Sequence, residues 1–314
     1  MPAVCVGVSS AVKESLERLN LGSPVTLKGM TVWPLLGPNL DGSAYDMLDN
    51  AMQKGTCEVR EQTSPTVDTV VVVNNSDKPV LAIHGQLLKG AKQNRSLNLT
   101  TMFPPQSETQ VHVACVEQGR WNAGRSFEDA RWMQSAAGRT EKLGDVLTNL
   151  SRNGSSKAQQ DRVWTQQSIK ERRLGLQSDT HDEIEIQKIN LRDISGSIRQ
   201  SIVCEADQVG AIFLANNTWA IEIFDNSDSY MKCHESLLNS FLLEAKEALK
   251  RGISVLTLEP RTLIDKAWAT EWIEIAVPGM GVSVTGRQAA TKSCALVLEG
   301  VGVSVSVSGF LSQA

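Results

Sequence analysis

Three stretches of the 314-residue chain crowd reactive, basic and amide side chains together between apolar runs. They are His84-Gly85-Gln86-Leu87-Leu88-Lys89-Gly90-Ala91-Lys92-Gln93-Asn94-Arg95, then Cys115-Val116-Glu117-Gln118-Gly119-Arg120-Trp121, then Asn122-Ala123-Gly124-Arg125-Ser126. Lys89, Arg95 and Arg120 can neutralise phosphate or carboxylate, Gln93 and Asn94 can hydrogen-bond a base or a ribose, and Trp121 can stack. Gly85 and Gly90 permit a positive φ or a close backbone approach. Together they suit a nucleotide-sized anion. The same spacing also fits hairpin turns whose basic residues face water.

On an extended strand through 111–117, Cys115 and Glu117 share a face. In a cleft near Lys89 and Arg95, Glu117 could act as general base or ribose acceptor, and Cys115 as a nucleophile whose thiolate the cations favour. The competing readings are a small core residue for Cys115 and an intrachain ion pair with an arginine for Glu117. Metal ligation is not expected: His84, His112, His181 and His234 are scattered, without HxH or HExxH. There is no GxGxxG at a strand-to-helix junction, no GxxxxGK[ST] and no GxSxG. No particular cofactor is implied.

The chain that must position these groups is 41% apolar and 21% charged, an ordinary globular composition. With 31 basic and 35 acidic residues its formal charge is −4, which argues against a protein held mainly by nucleic-acid phosphates. The opening Met1-Pro2-Ala3-Val4 lacks a positive n-region, and no apolar run reaches the roughly 18 residues of a membrane helix, so no signal peptide and no membrane span are expected. Six cysteines spread singly fit reduced thiols and a cytoplasmic protein.

The pattern predicts an α+β fold: a β-rich antiparallel sheet or sandwich in the N-terminal half, a helical middle segment, and a mixed α/β C-terminal third. The expected divisions are 1–122, a helical segment or lid at 123–200, and 201–314, the last packing into one domain with the first. A helix over 44–54 should follow an extended piece that ends at Pro34. Strands are expected at 67–73, 80–88, 97–103 and 111–116, with Val70–Val73 buried on both faces. Phe127, Ala130, Arg131 and Gln134 suggest a helical stripe, as do Leu143, Val146, Leu147 and Leu150. Lys170-Glu171-Arg172-Arg173 reads as a solvated helix face, with contact to an anionic ligand as the other reading. Further on, Asn216-Asn217 suits a tight hairpin, Asp228 or Ser229 caps a helix running to Arg251, and strands follow at 253–258, 272–277, 296–298 and 301–307. The terminal Val-Ser alternation predicts a half-buried strand with a free edge.

The order Gly-Gln-Leu-Leu-Lys-Gly-Ala-Lys-Gln-Asn-Arg from 85, then Pro-Pro, a strand, and Cys-Val-Glu-Gln-Gly-Arg-Trp from 115, resembles the ADP-ribosylglycohydrolase- and rhodanese-phosphatase-associated protein domain family. The strand from Val209 and the helix through Ser236 to Ala245 extend the resemblance over roughly residues 20 to 300. It implies a place among enzymes of NAD and ADP-ribose metabolism and in bacterial or phage conflict. The matched residues are Gln86, Lys89, Gly90, Gln93, Asn94 and Arg95, then Cys115, Glu117, Gly119, Arg120 and Trp121. Gln86 stands where many relatives should carry an acid, and its amide can bind a ligand but cannot serve as a base. The expected function is binding or processing of an ADP-ribose-like or other phosphorylated nucleotide in a basic, amide-rich cleft. The alternatives are a nucleotide sponge without turnover and a non-enzymatic assembly or partner-binding protein, including a homo-oligomer. The expected partner is a small nucleotide, neither membrane nor extended nucleic acid.

Overall fold

The computed structural model describes residues 6–40, 44–64, 66–121, 126–176, 178–192, 200–253, 258–288 and 291–311. In chain order the elements begin with α1 (Val6–Glu17), β1 (Asn20–Leu21), β2 (Val25–Leu27), β3 (Met30–Leu36), β4 (Asp46–Met47) and α2 (Leu48–Gln53). Next come β5 (Cys57–Arg60), β6 (Thr69–Asn74), β7 (Val80–Ala82), β8 (Gln86–Gly90), β9 (Arg95–Leu97), β10 (Thr101–Phe103), β11 (Ser107–Cys115) and β12 (Phe127–Met133). Then follow α3 (Ala136–Asn153), α4 (Gln160–Leu174), α5 (Glu183–Leu191), β13 (Gln208–Ala215), β14 (Thr218–Phe224), α6 (Ser227–Lys250) and α7 (Pro260–Trp268). The last elements are β15 (Glu271–Ile275), β16 (Val282–Gln288), β17 (Thr291–Leu298) and β18 (Val301–Phe310). The fold is α+β, as the pattern predicts.

Two compact units partition these elements. One comprises Met1–Ser43, Asn190–Ile275 and Gly281–Ala314, the other Ala44–Ile189 and Ala276–Met280. Residues expected to form one β-rich segment over 1–122 are therefore shared between the two.

The first unit is built on a nine-stranded antiparallel sheet in the order β1-β3-β13-β14-β18-β17-β16-β15, with β2 also on β3. One face buries Trp33, Leu35, Ile212, Ile221, Ile223, Val305 and Val307 with Ala11, Val12 and Leu16 of α1. The period-2 spacing of these residues along each strand puts them on one side. β3 continues past Pro34, because a proline loses only its donor: its carbonyl still accepts from Gly22 N at 2.8 Å. The β13–β14 hairpin turns at Asn216 with φ +56°. Asn226 caps α6, not Asp228 or Ser229, its side-chain oxygen accepting from Ser229 N at 2.8 Å. β18 has no free edge: β14 pairs with it on one side and β17 on the other, and Ser304, Ser306 and Ser308 are buried like the valines between them. Of the strand expected at 253–258, residues 254–257 lie outside the described residues.

The second unit contains a six-stranded sheet, β12-β8-β9-β11-β6-β5, and a three-stranded one, β10-β7-β4. Val70–Val73 are buried at every position: β6 lies inside the sheet between β11 and β5, and Val70 and Val72 enter the core with Val59, Val111 and Val113. The segment from Phe127 is a strand rather than a helix. It pairs with β8 from Phe127↔Gly90 to Met133↔Gln86 through a bulge, and Arg131 takes φ +52°. A bulge breaks the alternation that would mark a strand in sequence. The helices α3 and α4 each end on a left-handed glycine, Gly154 and Gly175. Leu87, Ala114 and Val116 from the sheet meet Val163 of α4 and Ile184 of α5, fixing these helices over it.

Candidate functional site

The two motif segments converge in the second unit because β9 and β11 are hydrogen-bonded neighbours, with Cys115 opposite Arg95. At the strand ends the chains exchange side chains. Glu117 Oε2 accepts from Asn94 N at 3.0 Å and Arg120 Nη2 at 2.7 Å, while Oε1 accepts from Arg120 Nε at 2.8 Å and Thr180 Oγ1 at 3.2 Å. This is a fork-on-fork ion pair, and the neighbouring carboxylate raises the Arg120 pKa. Arg120 also donates to the carbonyls of Ala91 at 2.7 Å and Gly90 at 3.3 Å. Gln93 Nε2 reaches the Glu117 carbonyl at 2.9 Å, and Asn94 Nδ2 reaches Asp182 Oδ1 at 2.9 Å.

Arg95 is fully buried and donates to Gln93 Oε1 at 3.2 Å and, at 3.5 Å, to Glu61. Its pKa is lowered, chiefly by burial. Cys115 lies next to it, wholly buried; desolvation raises its thiol pKa, with Arg95 only partly opposing the shift. Trp121 is 48% exposed, with Lys92 Nζ 4.9 Å and the Arg95 guanidinium 6.0 Å from its ring centre. Two of the matched residues stand apart. Lys89 is exposed on β8, and Gln86 is buried, accepting from Ile83 N at 3.3 Å and donating to Asp49. Asn122, Ala123, Gly124 and Arg125 lie outside the described residues.

The converged motif organises the chain that follows. Gly119 N donates to Thr180 O at 2.9 Å, Glu183 N to Val116 O at 3.1 Å, and Glu117 bridges Asp182. Gly119 is required by proximity: a Cβ there would lie 2.8 Å from Thr180 Cα. Burial is the main reason the Asp182 carboxyl is pushed up to about 6, although Asn94 and Ile184 N both donate to it.

A polar cleft lies between α3 and α4, outside the three motif segments. Its empty space, solvent at the mouth included, is about 560 Å³, and its lining includes Lys142, Arg162, Lys170 and Arg173, three acids (Glu141, Asp145, Glu183) and Gln134, Gln166 and Gln167. Arg162 pairs with Asp145 at 2.6 Å and with Glu141 at 3.5 Å. Glu183 accepts from Ser135 N at 2.9 Å and Gln187 Nε2 at 3.0 Å. Lys142, nearly inaccessible, donates at 2.6 Å to both Ser96 Oγ and Leu97 O. Gln167 donates to Val116 O at 2.9 Å and to His181 O, and its buried Oε1 has no hydrogen-bond partner among the described residues. The 170–173 run is therefore not a uniformly solvated face: Lys170 and Glu171 are buried, Arg172 and Arg173 exposed. The signal for this was the helical spacing of Gln166, Lys170 and Arg173 at i, i+4 and i+7.

His181 and Glu171 form a second arrangement that sequence spacing does not reveal. His181 Nδ1 and Glu171 Oε2 are 2.6 Å apart. Among the described residues no group of three or more His, Cys, Asp or Glu side chains is placed to hold a metal ion. No helix among them is long and apolar enough to cross a membrane.

An α+β protein in which two motif segments brace a polar, cation-lined helical cleft is the class that the fold and geometry define. The chain belongs to the ARG and Rhodanese-Phosphatase-superfamily-associated Protein domain family, whose model matches residues 18–308. The family description carries ARG, not the spelled-out ADP-ribosylglycohydrolase of the resemblance above. The family is associated with ADP-ribosylation-related enzymes, which loosely fits nucleotide or ADP-ribose metabolism. No curated protein and no solved structure matches the chain significantly.

Proposed function

We propose that this protein binds an ADP-ribose-like phosphorylated nucleotide in the basic, amide-rich cleft between α3 and α4. The observation that carries the reading is the gathering of Lys142, Arg162, Lys170 and Arg173 with three glutamines around one cleft. Cations with amides are the donors that phosphates, ribose and base edges call for. Gln134, Gln166 and Gln167 line the cleft and bring amide donors and acceptors of the kind that ribose hydroxyls and base edges bond. In this reading the residues at 93–95 and 115–120 position the cleft, and Trp121 offers an exposed ring at their edge. The partner is a small anion rather than extended nucleic acid, in keeping with a net charge of −4.

Isothermal titration of the purified chain with ADP-ribose, NAD, AMP and inorganic phosphate tests this. ADP-ribose should bind, and Lys170→Met and Arg173→Met should each weaken it about 10-fold or more, the worth of one charge-assisted hydrogen bond. No binding of any of the four at millimolar concentration, or affinity untouched by both variants, refutes it.

A further inference from the structure

We infer that Gln134, Ser135 and Gly138 form the phosphate-binding niche of the α3–α4 cleft, an inference that rests on the cleft reading above and names what anchors the ligand there. All three residues line the cleft, at the start of α3. Gln134 and Ser135 are only 4% and 3% exposed, yet Gln134 Nε2 and Ser135 Oγ have no hydrogen-bond partner among the described residues.

The orientation of the glutamine is imposed from behind. Lys142 donates to Ser96 Oγ at 2.6 Å, so the hydroxyl hydrogen of Ser96 goes to Gln134 Oε1, at 2.9 Å. The amide oxygen is thereby engaged, and the amide presents its nitrogen, with both N–H donors, on the other side. That side is the first turn of the helix: a Cβ on Gly138 would lie 2.9 Å from Ser135 Oγ and 3.2 Å from Gln134 Nε2. Both side chains converge on a point that glycine keeps open.

The backbone adds a third donor. Ser135 is the N-cap residue of α3, but its side chain makes no capping bond, so it does not take the N–H of Gly138, which has no backbone partner among the described residues either. Glu183 accepts from Ser135 N at 2.9 Å and leaves the Gly138 N–H open. An amide, a hydroxyl and an N–H at a helix N-terminus, where the dipole favours negative charge, suit an anionic oxygen. Lys142, one turn further along α3 and also lining the cleft, brings a positive charge to the same wall. A phosphate of the nucleotide fits this set, with Ser96 and Lys142 as positioning residues that act through the amide.

Titration calorimetry of the full chain with ADP-ribose tests the niche, alongside thermal melts of each variant. Gln134→Met, which removes the donor, should weaken binding about 10-fold or more. Gln134→Glu keeps an acceptor for Ser96 but turns a second acceptor toward the ligand, so it should weaken binding more than methionine does; a ribose hydroxyl at that point would instead donate to the new carboxylate and keep its affinity. Gly138→Ala fills the niche while favouring the helix, so binding should fall about 10-fold or more with no drop in melting temperature. Ser96→Ala should weaken binding in the wild-type chain but not in Gln134→Met, a dependence that a merely structural serine would not show. Binding that Gln134→Met and Gly138→Ala leave unchanged overturns the niche, and the cleft reading stands if Lys170→Met and Arg173→Met still weaken it. A Gln134→Glu chain that binds as well as Gln134→Met overturns the assignment to phosphate, and no binding by the wild-type chain overturns both readings.

Discussion

Glu117→Ala is the most informative single change, because this carboxylate joins three parts of the second unit. It accepts from Asn94 N at 3.0 Å, from Arg120 at 2.8 and 2.7 Å, and from Thr180 at 3.2 Å. Truncation leaves the Asn94 N–H without its acceptor, which costs about 1–3 kcal/mol in a buried site. The Arg120 side chain is 23% exposed and keeps the Ala91 and Gly90 carbonyls, so its share falls below the full cost of an orphaned buried charge. The expected loss is therefore about 2–4 kcal/mol, concentrated in the strand ends and the 178–183 turn. Amide hydrogen exchange at Asn94, Gly119 and Glu183 should quicken about 30- to 1000-fold while the sheet of the first unit keeps its protection. Glu117→Gln, which keeps an acceptor oxygen, should lose roughly half as much. Unchanged exchange at those three amides, with a folded variant, would refute the argument that Glu117 ties these segments together.

Asp182 gives a pH-dependent prediction. Its carboxyl lies at about 6 in the folded chain against an ordinary 3.8, so its contribution to stability is present below 3.8 and is lost as pH rises through about 6. Asp182→Asn keeps an oxygen for Asn94 and Ile184 but carries no charge, so it should be more stable than wild type by about 1–2 kcal/mol at pH 8, a figure discounted for the partial exposure of the group, and no more stable at pH 4. Thermal melts at both pH values check this, and an equal difference at each would contradict it. Gly119→Ala must push the Thr180 backbone away from a contact of 2.8 Å and should cost about 1–3 kcal/mol in urea unfolding, with a weaker hydrogen bond at Thr180.

Much of this architecture is legible in the sequence, and the exceptions share a cause. The strands around Val70–Val73 and 111–116, the hairpin at Asn216 and the helix ending at Lys250 follow from local periodicity and turn chemistry. The joining of the 93–95 and 115–120 segments is not legible locally; it is set by the pairing of β9 with β11 across the sheet. Phe127–Met133 reads as a helix because one bulge destroys its alternation. Lys170 and Glu171 read as solvated because burial of a charge is decided by distant partners; for Glu171 those are His181 and the Ser178 amide. The Val-Ser alternation of β18 implies one wet face, but Ser304, Ser306 and Ser308 are as buried as the valines, and what covers a sheet face is set by chain remote from the strand.

The pairing of β3 with β13 dictates an order of assembly. Residues 30–36 pair locally only with the short strands at 20–21 and 25–27, and find their full-length partner at 208–215, so one side of β3 leaves the ribosome unpaired until far more chain has been made. The intervening unit is nearly continuous, needing from outside 44–189 only the short piece 276–280. It can therefore collapse first and bring residues near 43 and 190 toward one another, shortening the loop that β3 and β13 must close. A slow folding phase should belong to the nine-stranded sheet, whose contacts span the greater sequence distance. While they wait, Trp33 and Leu35 are exposed apolar strand residues, and delayed synthesis of residues 208–224 would prolong the interval in which they can pair with the wrong chain.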